Sequence, residues 1–222
     1  MDKGRSVEAK MREDIMRGHL APASWLRMEE LKLRFDVGFS PIREALSRLV
    51  AEGLVELEPN RGFRVTGLSK ADLEDIAVAR CAIETVALRR AIELGGDDWE
   101  AGVVGAMHQY RRKSAVAFDG EEQLQAWEAA HEALHLALIG ACRSPRLIEA
   151  QKRLQDQHLR YRRLIVIPEV SPMAHIEEHE RLVALALDRK VDEAVAAIEK
   201  HMMITVETLE KARFWERATI IS

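Results

Sequence analysis

The sequence predicts a mainly α chain: three helices and a β-hairpin, then an all-α antiparallel bundle of about six helices. Three observations lead there. Up to residue 68, apolar residues recur at helical spacing in three short stretches. Two β-type runs follow, joined by the turn-forming Pro59-Asn60-Arg61-Gly62. Beyond Gly67 the apolar spacing stays helical to the end, with no alternation of strand length. The change divides the chain into residues 1–68 and 69–222, and a length of 222 residues suits two small domains.

Each element has its own signal. Ser6 caps a helix over residues 6–17, with Val7, Met11 and Ile15 at spacing four and Gly18 as the stop. A second helix spans 27–35 and ends near Gly38. Ser40 and Pro41 suit the N-cap and first position of a third, which presents Ile42, Ala45, Leu46, Leu49 and Val50 on one face and ends at Gly53. Residues 54–57 and 62–65 read as strands. This outline is a winged helix-turn-helix. In the second part, Ser69 and Asp72 open a helix to Leu94, and Gly95-Gly96 ends it. Further helices are expected over 99–118, 121–140, 145–167, 172–187 and 191–213.

Composition sets the outer limits. An apolar fraction of 47% against 32% charged residues excludes global disorder. Two cysteines, Cys81 and Cys142, are too few for a disulfide framework. No apolar run approaches a membrane span, and the N-terminus lacks the apolar centre of a signal peptide, so a soluble cytoplasmic protein is expected. The formal charge is −4; residues 1–68 carry 12 basic and 11 acidic residues, the rest 21 and 26. A nucleic-acid face must therefore be a local cluster.

The third helix supplies one. A recognition helix offers its N-terminal residues to base edges, here Ser40, Pro41, Ile42, Arg43 and Glu44, with Ser47 and Arg48 one turn on. Arg43 can reach guanine or phosphate, and Arg61 and Gly62 form the hairpin tip. The run Gly38-Phe39-Ser40-Pro41-Ile42-Arg43-Glu44-Ala45-Leu46-Ser47-Arg48-Leu49, with Glu52-Gly53-Leu54-Val55 and Arg61-Gly62-Phe63-Arg64-Val65, resembles GntR-type transcriptional regulators over about residues 5–68. That resemblance implies a double-stranded, palindromic DNA operator and a homodimer. Phe39 and Ser40 stand where many members carry Arg-Thr, so an arginine often used on DNA is absent.

The chain has eight histidines: His19, His108, His131, His135, His158, His175, His179 and His201. His131 and His135 share a helix face at i, i+4. His179 and His201 lie equally far from a turn at Asp188-Arg189-Lys190, which brings them level across a helical hairpin. Imidazoles inside a bundle must be paired or metallated, and nitrogen ligands suit zinc, with nickel as the alternative. The same segment resembles the ligand-sensing FCD domain of the FadR-like subgroup over about residues 70–210. There His135, His179 and His201 match the expected ligands, and His131 replaces an aspartate. The resemblance also implies a small carboxylate effector, with Arg80 as its first partner and Arg160, Tyr161 and Arg162 completing a clamp. The chain is most similar to carbon-starvation-induced, glutarate-responsive repressors, implying a short dicarboxylate such as glutarate. A competing reading takes His131-Glu132-Ala133-Leu134-His135 as the H-E-x-x-H of a metal-dependent hydrolase, although no strand is expected nearby to hold a peptide. The expectation is a regulator and not an enzyme, with no catalytic residues: a repressor released by an organic acid at a metal site.

Overall fold

A computed structural model describes residues 6–115, 120–166 and 176–217. The N-terminal part contains α1 (Val7–Met16), β1 (Trp25–Leu26), α2 (Met28–Phe35), α3 (Phe39–Ala51), β2 (Val55–Glu58) and β3 (Gly62–Val65). Ser6 caps α1 by accepting the Ala9 amide at 3.2 Å. Asp36, in the left-handed region at φ 52°, closes α2 and begins the turn into α3. Ile42, Ala45, Leu46 and Leu49 on α3 pack on Met11, Ile15, Leu31 and Val65 to form this part's core.

Two sequence expectations change here. α3 starts at Phe39 with Gly38 as N-cap, so Ser40 lies within the helix and Pro41 is its third residue. Proline fits there because the first-turn amides lack helical acceptors. The sheet has three strands, ordered β1-β3-β2 and antiparallel throughout. β1 is two residues long, too short to show alternation, and is defined by pairing Trp25 with Arg64 and Leu26 with Phe63. The wing turns at Asn60 (φ 63°) and Gly62 (φ 104°), the second a conformation that L side chains avoid.

The C-terminal part is helical: α4 (Lys70–Leu94), α5 (Asp97–Ser114), α6 (Glu121–Ile139), α7 (Pro145–Val166), α8 (Ile176–Leu187), α9 (Val191–Met202), α10 (Ile204–Lys211) and α11 (Phe214–Arg217). The expected helix ends at residues 118 and 167, and the expected start of α8 at 172, lie outside the described residues, as does His175. The single helix expected over 191–213 is instead two, α9 and α10, with α11 beyond it. Met203 both ends α9 and starts α10, its amide bonding to Lys200. The break lets Val206 and Leu209 join Leu68, Leu73, Ile76 and Tyr161 in a separate apolar cluster. No helix among the described residues is long and apolar enough to cross a membrane.

α7 holds the two parts together. Asp156 pairs with Arg12 of α1 at 3.1 Å, and Gln157 donates to the Glu52 carbonyl at 2.6 Å. Arg160 donates to the Thr66 carbonyl, and Arg163 to the carbonyl of Met16 at 2.6 Å. Gly53 makes this approach possible. It sits at φ 76°, and a Cβ there would lie 2.5 Å from Gln157 Nε2. Gly53→Ala should cost about 1–2 kcal/mol, from the left-handed backbone and the displaced glutamine together. Chemical denaturation checks this, and an unchanged midpoint would contradict the contact.

Candidate functional site

Beside an apolar core that includes Leu88, Val103, Leu138, Leu182 and Ile198, the bundle interior carries a cluster of buried polar groups. Along α7, Gln151, Gln155, His158 and Arg162 recur at spacings of four, three and four and are all buried. α4 adds buried Arg80 and Glu84, and α6 adds buried His131 and His135. Helical spacing alone puts each set on one face. The cost of burying such groups must be offset by partners inside.

The four candidate ligands do converge. His179 on α8 and His201 on α9 face one another with ring centroids 4.4 Å apart, and His131 and His135 lie 4.6 Å apart. Each ring offers a nitrogen within 4.8 Å of the other three. His131 Nε2 and His179 Nε2 are separated by 3.1 Å. Two nitrogens on one ion at about 2.0–2.1 Å would be about 3.0–3.4 Å apart, so the spacing fits shared coordination.

The surrounding groups treat the rings differently. His135 Nδ1 lies 3.1 Å from Glu84 Oε2, while Arg80 donates through Nε to Glu84 Oε1 at 3.0 Å. Burial alone would raise the Glu84 carboxyl, but Arg80 and the His135 contact outweigh it and hold it down to about 2. The carboxylate thus fixes the Nδ1–H tautomer of His135 and turns Nε2 inward, as ligand histidines in metal sites are held. That Nε2 is buried and has no hydrogen-bond partner. His131 is in the opposite situation. Arg162 Nη1 lies 2.5 Å from its Nδ1, and a guanidinium only donates, so that nitrogen is the acceptor.

The arginines expected to clamp an effector separate. Successive helical residues point about 100° apart, so Arg160, Tyr161 and Arg162 cannot share a face. Arg160 holds Thr66. Tyr161 accepts from the Ser69 amide at 3.0 Å and donates to Asp72 at 2.6 Å, tying down the start of α4. Only Arg162 reaches the imidazoles. Its Nε and Nη2 are buried without partners, as are both nitrogens of His158 and the Gln151 side-chain amide. Burial and nearby Arg80 push Arg162 down to about 10, against the pull of Glu128, so it stays charged near neutrality. Arg80 sits in the centre but is committed to Glu84, with Nη2 to Oε1 at 2.8 Å. Sequence reading missed Glu84, Gln151, Gln155 and His158 as site residues; the polar stripe on α7 was the available signal.

The second face is on the outside. Ser40, Pro41, Arg43, Glu44, Ser47 and Arg48 all lie on the exposed side of α3, opposite Ile42 and Leu46. Arg48 leans back to Glu8 at 3.1 Å. Arg61 pairs with Glu58 at 2.9 Å and lies over the exposed Trp25 ring, 4.8 Å from its centroid. Trp25, Arg27, Met28, Arg43, Arg61 and Gly62 line an open groove of about 360 Å³ between α3 and the wing.

A winged head on a helical bundle with a polar, imidazole-lined interior defines a DNA-binding regulator that responds to a ligand. The chain belongs to the gntR family of bacterial regulatory proteins, which it matches over residues 3–65, and carries an FCD domain over residues 75–203. It is 34% identical to the HTH-type transcriptional repressor GlaR of Escherichia coli K12 over 91% of this chain and 93% of that one. It is 35% identical to the uncharacterised HTH-type transcriptional regulator BphR of Paraburkholderia xenovorans LB400, over 91% and 83%. Escherichia coli McbR/YncC shares the fold at a TM-score of 0.75 and 20% identity, covering 93% of this chain and 96% of that one. GlaR and BphR are named as transcriptional regulators, not enzymes, and give the hydrolase alternative no support.

The buried rings make stability depend on pH. Burial, then Arg162 and the other rings, holds His131 well below 6.5, and burial, then Arg80 and Arg162, does the same to His158. Burial, joined by His135 and Arg80 against Glu178, brings His201 to about 4. Unfolding restores 6.5, so between these values the unfolded chain binds protons that the folded chain does not. Stability is therefore complete above about 6.5 and falls on acidification, by up to about 1.4 kcal/mol per pH unit for each ring. Denaturation of metal-free protein at a series of pH values checks this. A flat profile between about pH 7 and 5 would contradict neutral buried rings.

Proposed function

We propose that this regulator is a homodimeric repressor whose C-terminal bundle holds a divalent transition metal on His131, His135, His179 and His201. Zinc suits four imidazoles best, with nickel as the alternative. A small organic acid binds beside the metal and releases the operator. The observation that carries this reading is the convergence of four imidazole nitrogens within 4.8 Å, beside a buried guanidinium with unpartnered nitrogens. When bound, the ion supplies a Lewis acid for carboxylate oxygens. Arg162 supplies a charge-assisted, bidentate partner for a carboxylate. A short dicarboxylate such as glutarate suits that pair of anchors. As a working division, residues 1–68 bind DNA in the cytoplasm and residues 69–222 sense the acid and dimerise.

The two faces of α7 give the coupling a material path. One face carries His158 and Arg162 toward the imidazoles; the other carries Gln157, Arg160 and Arg163 onto the head. An acid that draws Arg162 off His131 moves the helix that grips both the α3 end and the start of the linker. Different effector affinities for the two helix positions then set how far the equilibrium shifts.

Metal and Arg162 also compete for one ring. A cation on His131 Nε2 requires the ring proton on Nδ1, where Arg162 now donates. Arg162→Gln offers an amide oxygen that accepts that proton. It should tighten zinc binding by about tenfold while weakening glutarate, both measured by calorimetry. His179→Ala with His201→Ala should abolish metal content and the thermal shift given by glutarate. Retention of both would overturn the metal assignment.

On the DNA side, Ser40, Pro41, Arg43, Glu44, Ser47, Arg48, Arg61 and Gly62 form the contact surface. The α3 N-terminus, with no side-chain cap at Gly38, suits a phosphate. Arg43→Ala should weaken operator binding by about 1–3 kcal/mol and leave glutarate affinity unchanged. Fluorescence anisotropy at fixed salt checks the first, and the reverse pattern would contradict the assignment.

A further inference from the structure

The head half-buries Phe35 and Phe63 but leaves Trp25 and Phe39 exposed, at 36% and 42%. Each exposed ring carries a cation. The Lys32 ammonium of α2 lies over the Phe39 ring, 4.9 Å from its centroid, and the Arg61 guanidinium lies 4.8 Å from that of Trp25. Both distances are within the range at which the negative face of a ring attracts a cation. Such a ring orients a cation without cancelling its charge, whereas a carboxylate cancels it.

Carboxylates take many of the head's other cations. Arg12, Arg34, Arg48 and Arg64 each face one within 3.1 Å. Lys32 and Arg43 make no ion pair among the described residues. Arg61 pairs with Glu58 at 2.9 Å, but its side chain is 67% exposed, so that pair is weak and can be exchanged for phosphate. Phe39 and Arg43 stand at i, i+4 on the exposed face of α3. Arg43, Trp25 and Arg61 line the groove between α3 and the wing. Lys32, Arg43 and Arg61 thus follow one another across α2, α3 and the wing, the first and last each held by a ring. In a head of 12 basic and 11 acidic residues, these three charges are available to a polyanion.

We propose that Phe39 and Trp25 are positioning residues for DNA binding, which hold Lys32 and Arg61 toward the phosphate backbone, and that Lys32 is itself a phosphate contact. This rests on the DNA face drawn above, and adds to it a cation from α2 and the rings that aim two of its charges. A lysine or arginine that is already oriented loses less side-chain freedom on binding. Phosphate contacts position a protein without reading sequence. The rings therefore act on affinity and salt dependence rather than on the choice of base.

Anisotropy titrations of the full-length protein across a salt series test this, on a duplex that the parent selects from random-sequence DNA and on a mixed-sequence duplex. Lys32→Ala should lower the slope of log affinity against log salt by about one and weaken both duplexes alike. Phe39→Ala and Trp25→Ala should each weaken binding by about three- to fivefold. Phe39→Leu keeps bulk but no π face and should lose as much as Phe39→Ala. Phe39→Tyr and Trp25→Phe keep the face and should stay within about twofold of the parent. Neither ring should matter once its cation is gone: F39A/K32A should match K32A, and W25A/R61A should match R61A. A ring whose loss costs as much without its cation as with it acts on the fold or touches DNA itself, and overturns the positioning role. A Phe39→Leu variant that binds like the parent overturns it as well. An unchanged slope in Lys32→Ala overturns the phosphate contact. If Arg43→Ala and Arg61→Ala also leave binding unchanged, the DNA face itself fails; if they weaken it, only the present proposal does.

Discussion

The bundle is organised by the cost of keeping polar groups out of water. An uncompensated buried charge costs several kcal/mol, so every charged group inside must be matched or placed beside something that will match it. Glu84 is matched twice, by Arg80 and by His135, and stays ionised while fully buried. Arg162 is matched in part, through one nitrogen on His131. His158 is matched by nothing of its own. The Glu84 carboxylate is fully matched, whereas Arg80 Nη2, His135 Nε2, both His158 nitrogens and Arg162 Nε and Nη2 are buried without hydrogen-bond partners, and this unmatched set is what the proposed metal and acid would satisfy.

α7 turns that local imbalance into something the head can register. A helix presents unrelated residues to its two sides, and here the sides serve different masters: Gln151, Gln155, His158 and Arg162 inward, Asp156, Gln157, Arg160 and Arg163 toward the head or its linker. Arg162 and Arg163 are neighbours in sequence yet belong to different networks. Arg163 joins the Met16 carbonyl to Glu128 of α6, through Nε at 2.9 Å, one helical turn before His131. Packed helices shift as units, which is the physical basis of the coupling proposed between Arg162 and these contacts.

Much of this was legible in the sequence. The four imidazoles were found because i, i+4 spacing and hairpin symmetry are geometric rules that survive without coordinates. The outward set on α3 was equally readable, since Ile42, Ala45, Leu46 and Leu49 fix which face is buried. What escaped was set by tertiary context. β1 exists only because β3 pairs with it. The break at Met203 exists because Val206 and Leu209 must reach Tyr161. The clamp expected of Arg160, Tyr161 and Arg162 fails because the helical period turns the three to different faces. Glu84 was visible four residues after Arg80, but its tie to His135 crosses from α4 to α6, which no local spacing reveals.

Charge arithmetic then decides what kind of ligand the interior favours. Around the imidazoles, Arg80 and Arg162 contribute two positive charges and Glu84 one negative, while buried Glu128 is paired with Arg163, a net of +1 with the rings neutral. A divalent metal on the imidazoles would raise this to +3, in a medium where charges about 4 Å apart interact several times more strongly than in water. A neutral molecule leaves that excess in place, and a cation worsens it. A dicarboxylate brings it back to +1, with one carboxylate for the ion and one for Arg162. The exchange of the family's aspartate for His131 acts in the same direction. It removes a built-in negative charge, so under the proposed function the site would depend more on its anion than a site with a carboxylate ligand would.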